Sequence, residues 1–147
     1  MDRAIQYDAQ VRKKLHYLAR EFDSGEFTRR IPEPISLVEP PFSGVSCEQY
    51  AIGTNGLRHS IAALYPKLDS LKAGDIALYW DEDRGTVHVG RLQEDGSVVS
   101  KWGNGGPVLK HPIDMVPSCY GSHVFFRRIP EQELYDLKGK NLSDLIS

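Results

Sequence analysis

Apolar residues fall at helical spacing early in the chain and in strand-like runs after residue 70. Over residues 2–22, Val11, Leu15, Leu18 and Phe22 line one side of a helix, with Arg12, Lys13, Lys14, Arg20 and Glu21 mostly on the other. This stripe predicts an amphipathic helix packed on the domain; a partner-binding or membrane-surface helix would carry the same pattern. Asp23-Ser24-Gly25 marks its end. Residues 28–46 hold four prolines (Pro32, Pro34, Pro40, Pro41), which forbid regular helix and predict an extended lead-in. Ser46 then suits the N-cap of a short helix beginning at Cys47. Residues 57–65 read as a second short helix closed by Pro66.

Strands follow. Residues 73–80 read as a strand after a Gly-Asp turn, residues 81–85 as a polar turn, and residues 86–93 as a strand carrying His88. Glu94-Asp95-Gly96 is a hairpin signal returning the chain through residues 97–102. A glycine-rich loop over residues 103–107 and a last strand over 121–128, with Val124, Phe125 and Phe126, precede a tail at 131–147 expected to be helical or loose. Helices first and an antiparallel sheet afterwards predict an α+β domain. Its expected parts are an N-terminal helix within residues 1–27, a core over 44–128 and the C-terminal tail, all in one domain over 1–147.

The hairpin fixes which side chains share a face. A two-residue loop at Asp95-Gly96 would set His88 and Lys101 on one face. A three-residue loop with Gly96 left-handed pairs Gln93 with Ser97 and sets Ser100 on the His88 face. Glycine after two residues suited to a type I turn favours the three-residue loop.

Composition narrows the function classes. The chain has 147 residues, of which 40 % are hydrophobic and 26 % charged, enough for one domain with a sizeable core. A formal net charge of -2 gives no electrostatic case for nucleic acid. No stretch is long and apolar enough to predict a membrane span. The first residues lack the apolar core of a secretory signal, which points to the cytoplasm, with export by a dedicated secretion system left open. Two cysteines, Cys47 and Cys119, make neither a disulfide framework nor a CxxC zinc pair, and no cofactor or metal is expected.

The chemistry centres on Cys47. A helix start carries partial positive charge and unpaired N–H groups, which favour thiolate over thiol. His88, downstream on a strand, is suited to take the thiol proton and return it to a leaving group. The backbone N–H of Cys47, with Ser46 or Gln49 as second donor, would hold an oxyanion. Tyr50 and Trp102 read as groove-lining or core residues, and Lys101 as a solvated strand residue or a contact to a substrate carboxylate. His111, before Pro112, reads as a structural hydrogen-bonder, and Cys119 as buried beside Tyr120-Gly121.

The run Gly74-Asp75-Ile76-Ala77-Leu78-Tyr79 followed by Val87-His88-Val89-Gly90 resembles the core of the NlpC-type peptidases of the papain-like superfamily. A nearer resemblance is to an uncharacterised bacterial family of similar architecture. Its motifs correspond here to Cys47 with Tyr50-Ala51-Ile52-Gly53, His88-Val89-Gly90-Arg91, Ser100-Lys101-Trp102-Gly103, His111 and Tyr120-Gly121, covering residues 44–128. The resemblance implies a papain-like fold and a cysteine hydrolase acting on an amide or peptide bond through a thioester. Cys47 would be the nucleophile, His88 the base and Ser100 the orienting residue, where the peptidases commonly carry histidine. It also implies peptidoglycan stem peptides as a substrate class, bound by Tyr50, Lys101 and Trp102. The alternative is a papain-like scaffold without activity that binds a protein or peptide partner.

Overall fold

The computed structural model describes residues 3–23 and 31–137. Among these, four α-helices accompany one seven-stranded antiparallel sheet, an α+β arrangement. In chain order the elements are β1 (Arg3–Ala4), α1 (Ala9–Asp23), β2 (Ser36–Glu39), α2 (Cys47–Ile52), α3 (Ile61–Leu64) and β3 (Ile76–Asp81). There follow β4 (Gly85–Leu92), β5 (Val98–Lys101), β6 (Val108–His111), a 3-10 turn (Ser118–Tyr120), β7 (His123–Arg127) and α4 (Glu131–Leu137). The strands lie in the order β1-β7-β3-β4-β5-β6-β2.

The first helix starts later than residue 2. Asp8 caps it by accepting from the backbone N–H groups of Gln10 (2.8 Å) and Val11 (3.0 Å), while Arg3 and Ala4 pair with β7 instead. The expected helix over 57–65 shrinks to α3, whose start follows a turn at Leu57–Ser60. Besides β1, two strands have no counterpart in the sequence pattern. β2 lies inside the proline-rich lead-in, and β6 is a four-residue run between Pro107 and Pro112, too short to show a period. The expected stop at Ser24-Gly25 and the tail beyond residue 137 lie outside the described residues.

Alternation along the strands sorts the core onto two faces. On one face Ile76, Leu78, Val89 and Phe125 pack against Ala51 and Ile52 of α2, with Leu57, Ile61 and Leu137. On the other, Leu15, Leu18 and Phe22 of α1 meet Trp102 and Leu109, and Tyr79, Leu92, Val98 and Phe126 continue that layer. Tyr120 joins the two clusters on the α1 side.

Among the described residues no helix is long and apolar enough to cross a membrane.

Candidate functional site

The start of α2 is built as its sequence suggests. Ser46 is extended (φ -77°, ψ 167°), and its Oγ accepts from the Gln49 N–H at 3.1 Å. Gly53, at φ 94°, closes the helix with its own N–H on the Gln49 carbonyl at 2.8 Å. Glu48 is buried and accepts from the N–H groups of Gly56 and Arg58, tying the helix to the following turn. Cys47 is thus the first residue of a capped helix.

Its thiol is nevertheless held above its ordinary pKa. The residue keeps some exposure, but the thiol is packed closely enough that burial pushes its pKa up. The Val89 backbone and the Arg58 charge pull the other way, and Glu48 adds to the rise.

His88 faces elsewhere. It is paired in register with Tyr79, so it shares the Tyr79 face of the sheet, which is the α1 face. Its neighbour Val89 takes the α2 face. The His88 ring stacks on Tyr120 with centroids 3.9 Å apart and planes 10° from parallel. It is 1 % exposed, and its Nε2 is buried with no hydrogen-bond partner among the described residues. Burial, with the neighbouring His111 and the Arg58 charge adding to it, holds it well below its ordinary value. Thiol and imidazole are not hydrogen-bonded to each other, and the helix that carries Cys47 lies across β4 from the His88 ring.

The hairpin has the three-residue loop. Gln93 N–H donates to the Ser97 carbonyl at 2.8 Å, and Gly96 has φ 85°, a left-handed angle that an L side chain resists. Arg91 lies opposite Val99, which sets position 90 opposite Ser100 and places Ser100 on the His88 face. Gly90 is required there, because a Cβ on it would come within 2.5 Å of Val98 Cγ1.

The Ser100 hydroxyl, however, serves His111 rather than His88. His111 Nδ1 lies 2.8 Å from the Pro112 carbonyl, which requires the proton on Nδ1. Nε2 then accepts from the Ser100 hydroxyl at 2.8 Å, and Ser100 Oγ accepts from Trp102 Nε1–H at 3.1 Å. Burial lowers His111 to about 4, so the chain of three side chains is neutral and satisfied. His111 is the structural hydrogen-bonder expected of it.

The remaining assignments divide. Lys101 is neither solvated nor open to a substrate. It is fully buried, with Nζ donating to the carbonyls of Phe42 (2.8 Å), Gly103 (2.8 Å) and Asn104 (2.9 Å) and lying 4.5 Å from the Phe42 ring centroid. Trp102 is also fully buried, against α1, and lines no groove. Cys119 is partly exposed in the 3-10 turn rather than buried. Tyr50 alone of the substrate-binding set borders open space, its hydroxyl donating to Glu39 Oε2 at 2.6 Å. No group of three or more His, Cys, Asp or Glu that could hold a metal occurs among the described residues.

Two partners were not foreseen. Tyr120 covers the His88 ring, a long-range contact that no local pattern announces. Arg91, the last residue of His-x-x-Arg, donates from Nε to the Gly74 carbonyl at 2.9 Å and from Nη1 to the Ala51 carbonyl at 3.0 Å. It thereby clips α2 and the turn before β3 onto β4. Comparison of the chain with family models, with curated proteins and with solved structures gave no match.

Proposed function

We propose that this protein is a papain-like scaffold without hydrolase activity that binds a protein or peptide partner. The observation that carries the reading is that α2 packs on one face of β4 while the His88 ring lies on the other, stacked on Tyr120. A working thiolate–imidazolium pair needs a thiol pKa pulled down and a histidine able to hold a proton beside it. Here burial raises Cys47 and lowers His88, and the His88 ring is committed to Tyr120. Most of the ordered motif residues hold the fold together: Arg91 and Lys101 by backbone carbonyls, and Ser100, Trp102 and His111 by one another. What stays open is a groove bordered by Tyr50 and Arg91.

Mass-mapped iodoacetamide labelling near neutral pH tests this reading. Cys47 is expected to label no faster than Cys119. Labelling of Cys47 about ten-fold faster, the sign of a thiol pKa lowered by roughly one unit, overturns it.

A second reading keeps the cysteine hydrolase, acting on an amide or peptide bond through a thioester at Cys47. The capped helix start, with the Val89 backbone and Arg58 both favouring thiolate, supports it. It requires His88 to leave Tyr120, and then Cys47→Ala and His88→Ala would each abolish activity with no further loss in the double variant. A peptidoglycan stem peptide as substrate belongs to this second reading, and a cytoplasmic location would count against it unless the protein is exported by a dedicated secretion system.

A further inference from the structure

We propose that the groove centred on Arg91 binds a peptide carboxylate. The inference rests on the binding reading above and gives it a place and a chemistry. Three strands lay one row across the α2 face of the sheet, Arg91 opposite Val99 and Val99 opposite Lys110. Tyr50 of α2 walls this row on one side and the Glu94-Asp95 turn on another, leaving an open groove of about 820 Å³. That volume lies in the range of sites that hold small molecules and short peptide segments. Two smaller depressions of about 260 and 280 Å³ adjoin it, and Arg91 lines all three.

Arg91 is held there as a preset donor. Nε and Nη1 are fixed on the Gly74 and Ala51 carbonyls. Nη2 makes no hydrogen bond to any described residue, and no described carboxylate lies within ion-pair distance of the guanidinium. Gly74, at φ 94°, leaves room beside it: a Cβ there would sit 3.5 Å from Nη2. A half-buried, immobilised guanidinium with one edge free is suited to a charge-assisted bond to a carboxylate. The other charges set the ligand's size of charge. Lys110 Nζ is already paired with Asp95 at 2.8 Å, and Glu94 stands on the rim. Asp75 and Glu131 also act on the Arg91 charge from the adjoining depression without bonding to Nη2; with so many carboxylates near, the free edge suits a single carboxylate and opposes a polyanion such as nucleic acid. The carboxylate can come from a chain terminus or from an acidic side chain.

The test uses the full chain, labelled with 15N, titrated with Ac-Ala-Ala-Ala-OH, Ac-Ala-Glu-Ala-NH2 and Ac-Ala-Ala-Ala-NH2. Shifts of the Gly74, Arg91 and Val99 amides and of the Arg91 Nε–H are expected with one or both acids. The neutral amide is expected to bind about ten-fold more weakly or not at all, the loss of one charge-assisted bond. Response to the first acid alone identifies terminus capture, and response to the second alone identifies side-chain capture. Arg91→Gln should abolish the effect. Because that variant also loses two bonds that fasten α2 and the β3 turn, Val99→Glu provides the independent check. It sets a carboxylate directly opposite Arg91, leaves those two bonds in place, and should occupy the free guanidinium edge and suppress binding by about ten-fold. Equal response to acid and amide, shifts confined to another surface, no shifts at all, or unchanged binding in Val99→Glu overturns the carboxylate site. Shifts on another surface would leave the binding reading standing. Fast labelling of Cys47 would overturn that reading and leave the groove result untouched.

Discussion

His111 makes the fold sensitive to mild acid, and the size of the effect follows from its environment. The ring is 1 % exposed, and its two nitrogens are spent on Ser100 and the Pro112 carbonyl. Protonating Nε2 would put a second donor against the Ser100 hydroxyl, already donating to it, and a charge into the α1 layer. Burial therefore holds the folded pKa at about 4, against 6.5 for an ordinary histidine. The unfolded chain binds a proton between these values and the folded chain does not, so stability rises with pH across that window. The contribution is complete above about pH 6.5 and is lost progressively as the pH falls toward 4. From pH 7 to pH 5 the loss is about 2 kcal/mol from this residue. His88, lowered for the same reason, acts in the same direction. Urea unfolding followed by tryptophan fluorescence, with Trp102 as a buried reporter, measures it at both pH values. In His111→Gln, which offers the Ser100 hydroxyl an acceptor but cannot titrate, the pH 7 to pH 5 loss should shrink by about 2 kcal/mol. If His111→Gln loses as much stability over this interval as the unaltered protein, the ring is not held neutral and the reasoning fails.

Further outcomes follow from the same packing. Lys101→Met strips the donor from three carbonyls and should destabilise by about 3 kcal/mol in thermal or urea unfolding, while leaving peptide response at the groove intact. Gly90→Ala drives a methyl group into Val98 and Ser100 between β4 and β5, and should cost about 1–3 kcal/mol; a neutral result would show that the hairpin yields there. Ser46→Ala removes the cap of α2 and should cost about 1 kcal/mol, measurable as a lower urea midpoint at unchanged slope.

Much of the local structure was legible in residue order. The stripe of Val11, Leu15, Leu18 and Phe22 announced α1, Ser46 marked the start of α2, and the Glu94-Asp95-Gly96 turn favoured the three-residue loop and so the face of Ser100. These features depend on neighbours within a turn or a hairpin, where backbone geometry and short-range hydrogen bonds decide. The strands β2 and β6 were hidden, because a four-residue segment gains its hydrogen bonds from a partner far away in the chain. Only the local part of the candidate site was legible, for the same reason. That Cys47 opens a helix and that His88 sits inside a strand are local facts. Which face of the sheet each group meets depends on the alternation at Val89 and on where α2 docks. Ser100 was placed on the right face, but its hydroxyl is taken by His111 on β6, a strand that no pattern disclosed.

The sequence by itself determined the Ser46 cap of α2, the hairpin register and the amphipathic face that buries α1, because each is set by periodicity and backbone chemistry over a few residues. The tertiary structure decided what the reactive side chains do. Stacking by Tyr120 and burial commit the His88 ring to the α1 face, and the distant Phe42 carbonyl, with those of Gly103 and Asn104 nearby, turns Lys101 inward. The clip of Arg91 to Gly74 and Ala51 leaves one guanidinium edge facing the groove. Burial and hydrogen bonds between segments far apart in sequence arise only when those segments are brought into contact, and they set the direction of His88, Ser100 and Arg91.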